Sequence, residues 1–199
     1  MTHSIYSTAI SRIYGKNRGW VFTVNDFIDL GSCTAVAKAL ERLTRAGTIR
    51  RLARGLYDYP EKHPVLGYVA AHYERIAQAI AGRDGLRIQP SGAYAANLLG
   101  LSDQVPARIV FLTDGANRTV QVSNQQIVLK RTTPKNMATA GQVSGLVIQA
   151  LRYIGRDRVN DKIVEKLKKK LTADDRRRLI RDLRYAPAWI GKIFRQLQE

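Results

Sequence analysis

Val24-Asn25-Asp26-Phe27-Ile28-Asp29-Leu30-Gly31-Ser32-Cys33-Thr34-Ala35-Val36-Ala37-Lys38-Ala39-Leu40-Glu41-Arg42-Leu43-Thr44-Arg45-Ala46-Gly47-Thr48-Ile49-Arg50-Arg51-Leu52-Ala53-Arg54-Gly55-Leu56-Tyr57-Asp58-Tyr59 is the stretch whose reading decides the fold. Apolar groups at 24, 27, 28 and 30 suffice for one short helix, which Gly31 breaks. Ser32 can cap the next helix by accepting bonds from its orphan N–H groups. From there Val36, Leu40 and Leu43 recur at spacings of four and three with Ala39 beside them, so that stripe faces a core. The opposite face carries Thr34, Lys38, Glu41, Arg42 and Arg45, and Gly47 ends the helix. Thr48–Leu52 and Leu56–Tyr59 are β-prone runs joined by Ala53-Arg54-Gly55, with the glycine supplying the positive φ of a tight hairpin. Helix, turn, helix and basic hairpin together have the layout of a winged helix-turn-helix. In that layout the second helix lies in the major groove and the hairpin reaches neighbouring phosphates or the minor groove.

The layout assigns roles. Thr34, Lys38, Arg42 and Ala35 face base edges behind the cap at Ser32, while Arg45, Arg50, Arg51 and Arg54 hold phosphates. Helix–strand–strand units also occur in proteins that bind other proteins; motif, wing and charge together favour duplex DNA.

Upstream, Ser4 caps a helix to Tyr14 with Ile5, Ala9, Ile13 and Tyr6, Ile10 on one side. A basic turn, Gly15-Lys16-Asn17-Arg18-Gly19, leads to a short strand, Trp20–Thr23, whose aromatic groups seal the small core. The first domain spans residues 1–60 and closes at the proline-flanked linker Glu61-Lys62-His63-Pro64. A small α/β domain over 61–142 follows. It has a helix from Val65 to about Ala81, a strand at Arg87–Gln89, a helix capped by Ser91, and strands at Arg108–Thr113, Thr119–Val122 and Gln126–Lys130. Residues 143–199 form a basic helical tail packed on that domain, with helices near Gly141–Ile154, Asp161–Leu171, Ala173–Tyr185 and Pro187–Gln198. Thr172 to Asp175 has the T-x-x-D form of a helix cap. The expected class is α+β.

The 199 residues carry a formal charge of +17, which points to a polyanion partner. Residues 1–60 hold 9 basic and 4 acidic groups, 61–142 hold 9 and 5, and 143–199 hold 15 and 7, so the excess extends well beyond the wing. Lys166, Lys168, Lys169, Lys170, Arg176, Arg177, Arg178, Arg181 and Arg184 form the densest basic run. They make either a stripe for phosphates or solvated helix faces, with Ile163, Leu167, Leu171, Leu179, Ile180 and Leu183 on the buried side. No run of eighteen apolar residues spans a membrane. The start lacks the plan of a signal peptide, and a single cysteine excludes an internal disulfide; a reducing cytoplasm is the expected location.

No catalytic group assembles. His3, His63 and His72 are scattered without ligand spacing, so neither a metal nor another cofactor is expected. Asp114 and Lys130 suggest a nuclease only until the position two before the lysine proves to be Val128. Gly82-Arg83-Asp84-Gly85 matches a bare G-x-x-G, yet it leads into a strand, where an RNA-binding loop of that form joins two helices. Cys33, with no second cysteine, is a small packing or groove-lining residue sooner than a redox switch.

Winged domain, linker and α/β domain in this order resemble the antitoxin and transcriptional regulator of AbiE-type (type IV) toxin–antitoxin systems. The resemblance rests on Ala39-Leu40-Glu41-Arg42-Leu43, on Gly47 to Tyr57, and on Ser91-Gly92-Ala93-Tyr94-Ala95 with Leu99-Gly100-Leu101. It extends over most of the chain, and the tail with Tyr185-Ala186-Pro187-Ala188-Trp189-Ile190 looks like a branch of that group. It implies a non-enzymatic repressor that binds inverted repeats in its own promoter and counters a nucleotidyltransferase-like toxin encoded beside it. Two alternatives stay open: an RNA-binding module led by the helices of 162–184, and an antitoxin whose basic tail covers an acidic toxin surface.

Overall fold

A computed structural model describes residues 4–65, 67–82, 85–104 and 106–198 of a mixed α+β protein. It divides into two units, Met1–Gly85 with Val120–Asn124, and Leu86–Thr119 with Gln125–Glu199. Residues 61–85 thus group with the first unit, and the boundary falls at Gly85 in place of residue 60.

The first unit begins with α1 (Ile5–Tyr14), started by Ser4, whose hydroxyl accepts the Ser7 N–H. Strand β1 (Val21–Thr23) runs into a 3-10 helix at Val24–Leu30, where Thr23 and Asp26 close a capping box. Then come α2 (Cys33–Arg45), β2 (Arg50–Ala53) and β3 (Leu56–Asp58). The strands form one antiparallel sheet in the order β1-β3-β2. Its core is Ala9, Ile13, Phe22, Phe27, Val36, Leu40, Leu43, Ile49 and Tyr57. The apolar stripe read from α2 is therefore the stripe that is buried. Phe22 and Phe27 meet edge to face at 5.4 Å between ring centres, a favoured aromatic geometry.

The helix expected from Val65 starts eight residues later. A two-stranded hairpin, β4 (Lys62–His63) with β5 (Gly67–Tyr68), comes first, and α3 runs over Tyr73–Ala81. Pro64 removes a backbone donor and Gly67 takes a φ of +73°, so the chain turns back on itself where a helix was expected. The stripe at Ile76 and Ile80 is real, and both are buried.

A four-stranded sheet comprises β6 (Ile88–Ser91), β7 (Arg108–Thr113), β8 (Arg118–Val122) and β9 (Gln125–Arg131), ordered β6-β7-β9-β8, of which β6, β7 and β9 belong to the second unit. Strands β7 and β9 are parallel, pairing Ile109 with Ile127 and Phe111 with Leu129. All four side chains are buried, as near-continuous apolar runs in a parallel pair require. The helices are α4 (Gly92–Leu98), α5 (Pro134–Met137), α6 (Val143–Ile154), α7 (Asp161–Lys170), α8 (Ala173–Arg181) and α9 (Ala188–Gln198). Ala95, Leu99, Val147, Leu151, Leu167, Leu179 and Phe194 join α4 and α6 to α9 in one core. Ser91 occupies the cap position of α4 but makes no side-chain cap bond there; its hydroxyl donates to Gln149 Oε1 at 3.2 Å. Tertiary packing wins over local capping at that position. Among the described residues no helix is long and apolar enough to cross a membrane.

Candidate nucleic-acid interface

Helix α2 is capped at its start. Ser32 Oγ accepts the Ala35 N–H at 3.3 Å and also contacts Thr34 Oγ1 at 3.1 Å. Such a cap is worth about 1 kcal/mol. With Val36, Ala39, Leu40 and Leu43 buried, Ser32, Thr34, Lys38, Glu41, Arg42 and Arg45 are exposed and Ala35 is half-buried. Cys33 is exposed at the first position of the helix, so it does not serve the packing.

The cations on that face differ in their commitments. Among the described residues Lys38 has no acidic or hydrogen-bonding partner. Arg42 lies over the ring of Tyr6, 4.5 Å from its centre, which holds its guanidinium in place. Tyr6 was invisible as a site residue in the sequence because it sits in the apolar pattern of α1. Arg45 pairs with Glu41 one turn earlier at 2.7 Å. Both side chains are exposed, and such a pair is worth only about 0.2–1 kcal/mol, so Arg45 can exchange Glu41 for a phosphate at little cost.

In the hairpin, Gly55 adopts a φ of +74° at the turn, as the sequence requires. The register slips between Arg51 and Ala53, leaving a bulge at Leu52; bulges sharpen the twist of a strand pair. Arg54 stands exposed beside the turn with no partner among the described residues, and Arg51 is exposed with its Nε 3.4 Å from Ala53 O.

Arg50 departs from its expected role. It faces Asp58 across the hairpin, and its Nε and Nη2 donate to the two carboxylate oxygens at 3.1 and 2.5 Å. Nη2 also donates to Val69 O at 2.8 Å. Asp58 is 1% exposed, so the pair cannot be opened without stranding a buried charge. Arg50 is therefore a structural cation that ties the hairpin to the segment after β5. The sequence contains the signal, an Arg and an Asp flanking a hairpin, but reading it needs the register.

In the second unit, Lys166, Lys169 and Lys170 are exposed on α7 and Lys168 is half-buried; on α8 Arg177, Arg178 and Arg181 are exposed and Arg176 is half-buried. Arg177 is paired with Asp174. Thr172 and Asp175 form the capping box that the T-x-x-D pattern implies, with Asp175 N–H donating to Thr172 Oγ1 at 3.1 Å. Lys168, Lys169 and Lys170 fill the last turn of α7, where the helix dipole favours cations without any ligand.

Asp114 lies at the end of β7, where Arg87 donates to it through both N–H at 3.0 Å and Nε at 2.9 Å. The Arg87 hydrogen bond holds its carboxyl below the ordinary range. Val128, at the position a nuclease would give to an acid, is buried opposite Val110. His63 Nδ1 accepts the Val65 N–H and His72 occupies the cap position of α3. Among the described residues no three of His, Cys, Asp and Glu gather as metal ligands. His3, and Arg83 and Asp84 of the G-x-x-G segment, lie outside the described residues.

The chain belongs to a family of unknown function, DUF6088, which residues 9–179 match. Among solved structures it is similar to the RV2827C protein from Mycobacterium tuberculosis, at 16% sequence identity and a TM-score of 0.45, covering 100% of this chain and 77% of that one. No curated protein matches.

Proposed function

We propose that this member of the DUF6088 family binds duplex DNA through a winged helix-turn-helix formed by its first sixty residues and represses its own promoter. The observation that carries the proposal is the pairing of a capped helix, α2, whose outer face offers Thr34, Lys38, Arg42 and Arg45, with a bulged hairpin that offers Arg51 and Arg54. A helix about 10–12 Å across fits a major groove about 12 Å wide. Thr34, Lys38 and Arg42, along the outer face of α2, are the groups set to meet base edges. Arg45, Arg51 and Arg54 are set to hold phosphates. Arg50 has no part in this contact. The role is non-enzymatic and belongs in the compartment that holds the chromosome. Its further assignment as an antitoxin against a nucleotidyltransferase-like toxin follows from the AbiE resemblance.

The test is a fluorescence titration of the purified chain against its own upstream DNA, with scrambled duplex beside it, at two salt concentrations. Phosphate contacts alone bind every sequence and fade steeply with salt. A preference for upstream DNA that survives the higher salt supports the proposal; equal binding to both duplexes at both salts refutes it.

A second reading has its own observation. Lys169, Lys170, Arg178 and Arg181 are exposed without ion-pair partners among the described residues, so α7 and α8 offer a separate phosphate surface. A structured RNA that binds more tightly than upstream DNA, and loses that advantage when these four become glutamine, would favour it.

A further inference from the structure

The first unit holds a cavity of about 410 Å³ where the turn after α1 meets β1 and α3, within the range of small-molecule sites. Lys16, Arg18, Trp20 and Arg75 line it. Lys16 Nζ lies over the indole, 5.6 Å from the ring centre. Arg75 comes so close to the turn that its Nη1 reaches Arg18 O at 3.5 Å. A Cβ on Gly19 would fall 2.0 Å from that nitrogen, and Gly19 has a φ of +84°. The turn therefore depends on glycine, which lets a guanidinium lie against its backbone.

Two acids stand against these three cations. Asp26 lines the cavity, but its Oδ2 accepts the Thr23 N–H at 2.8 Å and is also bonded to Thr23 Oγ1 at 3.1 Å. Glu61 Oε2 lies on the same side of Gly19 as the Arg75 guanidinium, 3.3 Å from where a Cβ on that glycine would stand. Arg18, also in the lining, stacks on Tyr59 and donates to Pro60 O at 3.0 Å. What remains is a concave space with an excess of positive charge and one aromatic wall.

We propose that this cavity binds a nucleoside monophosphate, with the phosphate held between Lys16 and Arg75 and the base against Trp20. The dianion offsets cations that otherwise repel one another, through charge-assisted hydrogen bonds that guanidinium and ammonium groups form best with phosphate. The base takes the place of Lys16 over the indole, which frees the ammonium for the phosphate. A ligand so placed joins α3 to the turn that carries β1, and so bears on the unit that contacts DNA in the proposed function. The binding itself does not depend on that function.

Trp20 is its own reporter. In the full chain carrying Trp189→Phe, its fluorescence is titrated with adenosine monophosphate, adenosine and inorganic phosphate, and calorimetry on the unsubstituted chain repeats each titration. Saturable binding of the monophosphate is expected, with adenosine or phosphate alone weaker by about tenfold or more. Arg75→Gln should weaken it by about tenfold, while Lys38→Ala leaves it unchanged. No saturation by either method, equal affinity for inorganic phosphate or adenosine, or loss in Lys38→Ala overturns the proposal. The last outcome would place the nucleotide on the α2 face. No DNA is present in these titrations, so their failure and failure of the DNA proposal are separate results.

Discussion

Helix α2 with its hairpin and the pair α7–α8 are both strongly basic, and they handle their charge in different ways. In α7–α8 Arg177 is paired with Asp174, Asp175 caps the helix, and three lysines sit at the end of α7 where the dipole favours them, while Lys169, Lys170, Arg178 and Arg181 have no ion-pair partner among the described residues. Along α2 and the hairpin, Lys38 and Arg54 stand without partners among the described residues, Arg42 is held by an aromatic ring, and Arg45 pairs with the exposed Glu41. The difference teaches that charge density does not mark a site by itself. Uncommitted cations on rigid, capped elements are the better indicator. Arg50 makes the same point within the hairpin, where one cation is engaged by Asp58 and Arg54, four residues away, has no partner among the described residues.

The largest effect expected from breaking this contrast is at Arg50. Arg50→Ala should cost about 3–5 kcal/mol of stability, because it strands Asp58 as a buried charge. The denaturation midpoint reads the loss. Replacing both residues with leucine should recover most of it and leave DNA affinity near that of the unsubstituted chain. A double variant that is stable but no longer binds DNA would return Arg50 to the interface.

A smaller effect is expected at the free end of the hairpin. Arg54→Ala should weaken all duplexes alike and reduce the slope of log affinity against log salt by about one. An unchanged slope would place the hairpin away from the phosphates. On the other side of the comparison, changing Lys169, Lys170, Arg178 and Arg181 to glutamine should leave the ratio of upstream to scrambled binding unaltered. A collapse of that ratio would mean that sequence is read from α7–α8.

The smallest effect concerns pH. The Arg87 hydrogen bond lowers the Asp114 pKa in the folded chain, so the pair's contribution is complete above the range of an ordinary carboxyl, about 3.9. It is lost as pH falls through the lower folded value. Stability curves of the unsubstituted chain and Arg87→Gln should differ at neutral pH and converge in acid; curves that stay parallel would contradict the pairing.

The legible features were those that close within a few residues. The caps at Ser32 and Thr172, the buried stripe of α2 and the positive φ at Gly55 follow from local chemistry, and the structure has all of them. Features that depend on distant partners were not legible. Arg50 looks like any other hairpin cation until the register sets it opposite Asp58 and the β5 segment brings up Val69 O. Ser91 has the chemistry of a cap, but Gln149, far along the chain, receives its hydroxyl. The 65–81 segment has a helical period over its second half only, and the hairpin before it depends on β4 and β5 finding each other. Tyr6 and Arg75 carried no local sign of a site, because each acts beside an element distant in sequence.

The central claim is that α2 reads bases, and the affinity ratio of upstream to scrambled duplex for the unsubstituted chain and Lys38→Ala, at a salt concentration that suppresses phosphate-only binding, tests it most directly. The account expects Lys38→Ala to lose about 1–3 kcal/mol of that discrimination while binding scrambled duplex nearly as before. Equal weakening of both duplexes would contradict the placement of α2 in the groove.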